Sequence, residues 1–158
     1  MIQLIRTDAG HPDFHQLVAA LNSFIRIRDG EELHTFYAPF NQLDQIKQVV
    51  VAYVAGVPAG CGAFKPFAAG VAEIKRMFTD PAFRGQGVAF RVLAELEQWA
   101  ASLGYHTCVL ETGVVLPEAV ALYEKAGYTR IPNYGQYVGV DNSICMQKTI
   151  APSISPEN

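Results

Sequence analysis

Hydrophobic and polar residues follow two different spacings along this chain, one typical of strands and the other of helices. Residues Ile2 to Arg6 alternate between apolar and polar, which predicts a first strand. Three later apolar-rich segments are separated by short turns that contain glycine, and they cover residues 49–55, 60–67 and 71–79. Connections this short predict three consecutive antiparallel strands.

Four further segments are predicted to be helices. Leu17, Leu21 and Phe24 repeat at intervals of three and four residues, which predicts a helix from His11 to about Arg28, ended by Asp29-Gly30. A short second helix is predicted around Pro39 to Lys47. The third and fourth predicted helices cover residues 88–103 and 117–127, and each stops at a glycine.

The last strands are predicted at residues 105–111, 128–131 and 143–149, which gives the element order β-α-α-β-β-β-α-β-α-β-β. A strand-helix-strand crossover places its two strands parallel, whereas the early hairpins are antiparallel. The sequence therefore predicts an α/β (α+β) fold with a mixed central sheet of about seven strands and four helices. We expect residues 1–150 to form one domain and residues 151–158 to be a disordered tail.

Composition excludes several classes of function. The 158 residues are 50% hydrophobic and 17% charged, with a formal net charge of −3 and no cluster of Lys or Arg. This balance argues against a nucleic-acid partner, and the modest charge leaves apolar surface for self-association. The three cysteines are isolated, and neither they nor the histidines have metal-binding spacing, so no metal is predicted. The chain shows no apolar run long enough for a membrane and no signal-peptide pattern, which predicts a cytoplasmic protein.

The segment Arg84-Gly85-Gln86-Gly87 has the pattern of an anion-binding turn. It follows a predicted strand and precedes a predicted amphipathic helix, and there is no Asp or Glu between Pro81 and Ala94. Glycines let the backbone approach a ligand closely, and the first N–H groups of a helix point at bound phosphate oxygens. An ordinary turn at the start of a helix is the alternative. No Gly-Lys-Ser/Thr follows, which excludes a P-loop.

Three segments together resemble the GNAT superfamily of N-acetyltransferases. They are Glu73-Ile-Lys-Arg-Met-Phe-Thr79 at the position of the central strand, Arg84-Gly-Gln-Gly-Val-Ala89 at the pyrophosphate loop, and Ala121-Leu-Tyr-Glu-Lys-Ala-Gly-Tyr128 at the late helix. The resemblance covers essentially Ile2 to Thr149 and includes a largely uncharacterised bacterial branch. It implies direct transfer of an acetyl group from acetyl-CoA to a primary amine, most simply of a small molecule that is amino-acid-like or a plain amine.

The resemblance also implies where acetyl-CoA binds. Backbone N–H groups of the glycine turn would hold the pyrophosphate, with Arg84 beside them, and the end of the central strand would pair with the pantetheine amides like an added strand. The residues assigned to the cofactor in this way are Met77, Phe78, Thr79, Arg84, Gly85, Gln86, Gly87, Val88 and Ala89.

Two side chains are candidates for proton transfer. Tyr123 matches the family's helix tyrosine and would protonate the leaving thiolate; the alternative is a core tyrosine. Glu73 would deprotonate the amine, directly or through water, and strict alternation would place it on the same strand face as Met77. The alternative for Glu73 is a salt bridge with Lys75 or Lys65, and Glu111 is the second candidate base.

Other residues leave the acceptor undecided. Lys75 or Arg76 could hold an acceptor carboxylate, and Tyr134 and Tyr137 could form a substrate wall, but ion pairing and loop packing explain these residues as well. Two other functions are consistent with the sequence: a protein-lysine or N-terminal acetyltransferase, and a non-catalytic acyl-CoA sensor that would not need Tyr123 or Glu73.

Overall fold

The computed structural model describes residues 1–37, 46–113 and 117–150, with the side chains of 26–37 and of residue 117 not included. Within these ranges it contains seven strands and three α-helices. The helices are α1 (Pro12–Tyr37), α2 (Val88–Ser102) and α3 (Pro117–Lys125), and short 3-10 turns cover Pro81–Phe83 and Gly135–Tyr137. The strands are β1 (Ile2–Thr7), β2 (Gln48–Val54), β3 (Val57–Ala68), β4 (Val71–Thr79), β5 (Thr107–Gly113), β6 (Thr129–Ile131) and β7 (Ser143–Thr149).

The strands form one mixed sheet in the order β1-β2-β3-β4-β5-β7-β6. The pairs β1–β2, β2–β3, β5–β7 and β6–β7 are antiparallel, whereas β4 and β5 are parallel. The parallel pair is the one joined through α2, as the crossover rule requires. The predicted fold class, mixed sheet and element order of the strands are therefore confirmed.

The first helix is longer than its sequence pattern predicts. We expected Asp29-Gly30 to end it, but α1 continues to Tyr37, so that prediction is wrong. One glycine inside a helix costs only about 1 kcal/mol relative to alanine. The residues that follow, Glu31, Glu32 and Leu33, are good helix formers and offset that cost.

The second predicted helix and the tail fall mainly where the structure gives no description. Residues 39–45 and 151–158 lie outside the described residues, and only Ile46 and Lys47 of the predicted helix are described. Those two residues are not helical and lead into β2.

The chain divides into two compact units, which are described separately. The first contains residues 1–65 and 75–96, and the second contains 66–74 with the residues from Glu97 onward. In the first unit, α1 buries one face against the sheet through Phe14, Leu17, Val18, Leu21, Val49, Val51, Cys61, Ala63 and Phe78. In the second, the buried residues come mainly from β4, α2, β5, α3, β7 and the loop before β7. The single domain over residues 1–150 stays a prediction.

Candidate active site

The glycine turn of the first unit has the backbone geometry of a phosphate cradle. Asp80 caps the preceding 3-10 turn by accepting a hydrogen bond from the Ala82 N–H at 2.9 Å. Gly85 and Gly87 then adopt φ values of +79° and +81°, and α2 begins at the next residue, Val88. A Cβ atom at either glycine would meet no described atom within 4 Å, so the surrounding space is open to a ligand.

Charge around the turn favours an anion. The first turn of α2 carries no acidic side chain, and its leading N–H groups lack the preceding carbonyls that would pair with them inside a helix. The Arg84 guanidinium is exposed and lies 5.2 Å from the centre of the Phe24 ring on α1. This cation–π contact places a positive charge beside the turn.

The end of β4 is where the resemblance implies that the pantetheine arm binds. The register of β4 with β5 covers Val71, Ala72 and Glu73, so among the described residues that edge of Met77 to Thr79 has no strand partner. Phe78 is buried in the first unit's core, whereas Met77 and Thr79 are partly exposed. The Thr79 Oγ1 atom is buried without a hydrogen-bond partner among the described residues.

A backbone irregularity at Arg76 corrects one step of the sequence argument. Arg76 has a φ of +59° in the middle of β4, a left-handed conformation that side chains rarely adopt inside a strand. Such a residue interrupts the two-residue alternation. The assumption of strict alternation through β4 is therefore wrong, and the shared face of Glu73 and Met77 stays a prediction.

The two basic residues of β4 are buried. Lys75 and Arg76 are 8% and 6% exposed, and the Arg76 Nη2 donates a hydrogen bond to Asn22 Oδ1 on α1. The Arg76 Nε has no partner among the described residues. Burial lowers the pKa of the Arg76 guanidinium to about 10, so Arg76 is charged at neutral pH. Whether either residue binds an acceptor carboxylate stays a prediction.

The candidate base, Glu73, lies in the second unit and is almost completely enclosed. Glu73 is only 2% exposed, and its Oε2 atom accepts a hydrogen bond from the Tyr134 hydroxyl at 2.8 Å. Sequence reasoning identified Tyr134 only as a wall or packing residue. No local pattern connects positions 61 residues apart in the chain, so only the fold reveals this pair.

The candidate acid, Tyr123, is also in the second unit, on α3. It is 6% exposed and packs edge-on against Tyr128, with ring centres 5.9 Å apart. Burial and then the negative charge of Glu111 raise the pKa of the Tyr123 phenol above its usual value of about 10. Tyr123 therefore keeps its proton at neutral pH, as a general acid must.

Glu111, the second candidate base, belongs to the same unit. It lies on β5 opposite Cys145 of β7 in the antiparallel register. Burial and the negative charges of Glu111 and Glu73 raise the pKa of the Tyr137 phenol. The structure thus brings Glu73, Tyr134 and Tyr137 into contact, with Glu111 on β5 of the same unit. The cofactor candidates from Met77 to Ala89 are grouped in the first unit.

The described residues were also compared with the requirements of a metal site, a reactive thiol and a membrane-spanning helix. Among them, no three His, Cys, Asp or Glu side chains cluster in a way that could hold a metal ion. All three cysteines are buried, and burial raises the pKa of Cys61 and Cys108 to about 12, so both are thiols at neutral pH. None of the described helices is long and apolar enough to cross a bilayer.

Comparison with known proteins finds similar sequences and similar folds. The "IAA acetyltransferase" of Azospirillum brasilense is 35% identical over 102 residues, which are 64% of this chain and 67% of that protein. The crystal structure of a candidate acyl-CoA N-acyltransferase from Klebsiella pneumoniae superposes with a TM-score of 0.79 and 28% identity, and covers 95% of this chain and 98% of that one.

A second solved structure contains bound acetyl coenzyme A. A candidate streptothricin acetyltransferase from Bacillus anthracis, solved in complex with acetyl coenzyme A, has a TM-score of 0.59 and 22% identity over 72% of this chain and 68% of that one. At this identity the likeness concerns the fold alone. The sequence profile of the Acetyltransferase (GNAT) family matches residues 14–128. The chain therefore belongs to the GNAT family of acetyl-CoA-dependent N-acetyltransferases.

Proposed function

We propose that the protein transfers an acetyl group from acetyl-CoA directly to the primary amine of a small molecule, either amino-acid-like or a plain amine. The amine nitrogen forms the new bond to the thioester carbonyl carbon, and the carbon–sulfur bond breaks. The amine loses a proton to Glu73, directly or through water, and the thiolate of CoA takes a proton from Tyr123. Atoms and charges balance without any further reactant.

The glycine turn is the observation that carries this proposal. Two positive-φ glycines leave open space at the start of a helix with no acidic side chain in its first turn, and an exposed arginine lies beside them. In the proposed complex, backbone N–H groups from Gly85 to Ala89 hold the pyrophosphate. The free edge of Met77, Phe78 and Thr79 pairs with the pantetheine amides, and the unpartnered Thr79 Oγ1 supplies one more polar contact.

The two buried proton-transfer groups favour catalysis over simple sensing of the cofactor. A binding module has no need for a protonated phenol or for an enclosed carboxylate, and both cost free energy to bury. Glu73 is the base in this proposal, with Glu111 the second candidate. We propose in addition that the enzyme acts in the cytoplasm as a homodimer, consistent with the low share of charged residues.

Titration calorimetry with acetyl-CoA, and with CoA as a control ligand, tests the cradle. We expect saturable binding that Gly87→Leu abolishes, because its side chain would occupy the space reserved for phosphate. The matched control is Gly104→Leu at the other end of α2. Gly104 also has a positive φ, +94°, and open surroundings, so both variants carry similar backbone strain.

The outcomes separate strain from binding. Loss of acetyl-CoA affinity in the Gly87 variant alone assigns the turn to the cofactor. Equal loss in both variants, or no binding by the folded wild-type protein, contradicts the proposal. A wild-type protein that binds should then be screened with primary amines, with the released thiol as the signal for transfer.

A further inference from the structure

The loop that precedes β7 is held in place by one amide side chain. Asn133 Nδ2 lies within hydrogen-bond distance of three carbonyl oxygens, those of Tyr137, Val140 and Ser143, at 3.0 to 3.1 Å. One –NH₂ group therefore ties both ends of residues 133–143 together. Tyr134 is the next residue along the chain, so these Asn133 hydrogen bonds also fix the backbone position from which its ring extends.

Aromatic packing fixes the Tyr134 ring itself. Phe67 of β3 meets it edge-on with ring centres 4.8 Å apart, and Tyr137 meets it edge-on at 5.8 Å. Tyr137 is only 1% exposed and cannot move aside easily. Edge-to-face pairs of this kind hold aromatic rings in a preferred orientation. Tyr134 is thus oriented before any substrate binds.

The orientation directs the Tyr134 hydroxyl at the candidate base. Its proton is donated to Glu73 Oε2 at 2.8 Å, inside the second unit. Burial and the Glu73 carboxylate raise the pKa of the phenol, so Tyr134 remains a donor throughout the range in which the enzyme would work. Hydrogen bonds to a charged group are stronger than neutral ones and impose a direction on the carboxylate.

We propose that Tyr134 is a positioning residue that holds the Glu73 carboxylate in the orientation needed to take the proton of the acceptor amine. This inference rests on the proposed function, in which Glu73 is the base. Tyr134 acts through Glu73 and does not itself exchange a proton with the substrate. The Tyr134 ring is held rigidly by the Asn133 hydrogen bonds and by the Phe67 and Tyr137 rings.

Steady-state kinetics of Tyr134→Phe, Glu73→Gln and the double variant test the inference. Tyr134→Phe keeps the packed ring and removes only the hydroxyl. We expect kcat to fall by about 10- to 150-fold, the factor that corresponds to one hydrogen bond to a charged group, while the KM for acetyl-CoA is unchanged. In the Glu73→Gln background the same change should lower kcat by less than about three-fold, since the carboxylate it orients is gone.

Tyr53→Phe is the matched control for a lost tyrosine–carboxylate bond. The Tyr53 hydroxyl donates to Asp13 Oδ2 at 2.5 Å in the first unit, and neither residue belongs to the proposed machinery. We expect its kcat to equal that of the wild type even if its thermal midpoint falls.

Four results would overturn the inference. Two of them are wild-type kcat in Tyr134→Phe, and an equal fall in kcat in the presence and absence of Glu73. The third is an equal fall in kcat in the Tyr53 control, which would indicate a general structural loss. The fourth, a folded wild-type protein that acetylates no amine, would overturn the proposed function as well, and so it is distinguishable from the first three.

Discussion

The Tyr123 phenol illustrates how burial prepares a residue for acid chemistry. A phenol in water has a pKa of about 10, already high enough to stay protonated at neutral pH. Burial on α3 and the negative charge of Glu111 raise it further, because both disfavour the phenolate. The acid form is therefore retained across the whole range in which an amine acceptor becomes deprotonated.

Tyr123→Phe should lower kcat by about 100-fold, the lower end of what a positioned general acid contributes. Acetyl-CoA affinity should be unchanged, because the ring and its contact with Tyr128 remain. Since the pKa of Tyr123 is raised, wild-type kcat should not decline up to about pH 10 through loss of this proton. Stopped-flow thiol detection from pH 6 to 10 measures both quantities, and a variant with wild-type kcat would exclude Tyr123 as the acid.

Single residues also show what local sequence reasoning can predict. The backbone of the glycine turn was predictable because positive φ and a helix start are local properties of Gly85, Gly87 and Val88. The irregularity of β4 was not predictable, because period-two reasoning assumes strict alternation and Arg76 breaks it with a φ of +59°. The Tyr134–Glu73 bond depends on a long-range fold contact that no local rule contains.

At the scale of elements, α2 packs on β3 through two glycines that have no room for a side chain. A Cβ at Gly60 would lie 2.7 Å from Val88 Cγ1 and 2.8 Å from the Phe78 carbonyl oxygen. At Gly62 the nearest atoms would be the Met77 Sδ at 2.4 Å and, on α2, the Leu96 Cδ1 and Val92 Cγ1, both at 2.9 Å. The close approach at Gly60 sets the position of the residue that begins α2, directly after the phosphate cradle.

Gly60→Ala should lower the free energy of unfolding by about 1–3 kcal/mol, the usual cost of overpacking. It should also weaken acetyl-CoA binding, because the carbonyl of β4 cannot rotate away and Val88 must shift. Gly62→Ala should lower the free energy of unfolding as well, because Val92 and Leu96 are fully buried against it. It should weaken acetyl-CoA binding less than Gly60→Ala, because no backbone atom of β4 and no part of Val88 lies in its way. Urea unfolding and calorimetry compare the two variants, and a larger loss of acetyl-CoA affinity in Gly62→Ala would refute the assignment.

The elements themselves were predicted unevenly, for physical reasons. All seven strands were predicted, β1 from alternation and β2, β3 and β4 from apolar-rich segments between glycine turns. Helix α2 follows from a clear amphipathic face between a glycine turn and Gly104. The end of α1 was missed because Asp29-Gly30 has the composition of a stop signal. Helix propensity on either side of that pair outweighed it, which a pattern of single residues does not reveal.

For the whole molecule, the proposed donor complex and the proposed homodimer both predict shifts in stability. A ligand that binds only the folded state, present at 100 times its Kd, adds about 2.7 kcal/mol to the free energy of unfolding. For a chain of this length each kcal/mol raises the Tm by about 2–4 °C. Acetyl-CoA should therefore raise the Tm of the wild type by about 5–10 °C.

A thermal unfolding scan, repeated at several protein concentrations, separates ligand binding from dimer formation. Association of folded subunits makes the Tm rise with protein concentration even without ligand, whereas a monomer shows no such dependence. Gly87→Leu should lose the acetyl-CoA shift and keep the concentration dependence, because only the cradle has changed. A ligand shift that survives in this variant would place the donor somewhere other than the glycine turn. A Tm that is independent of protein concentration over a hundred-fold range would contradict the homodimer and leave the chemistry of each subunit unaffected.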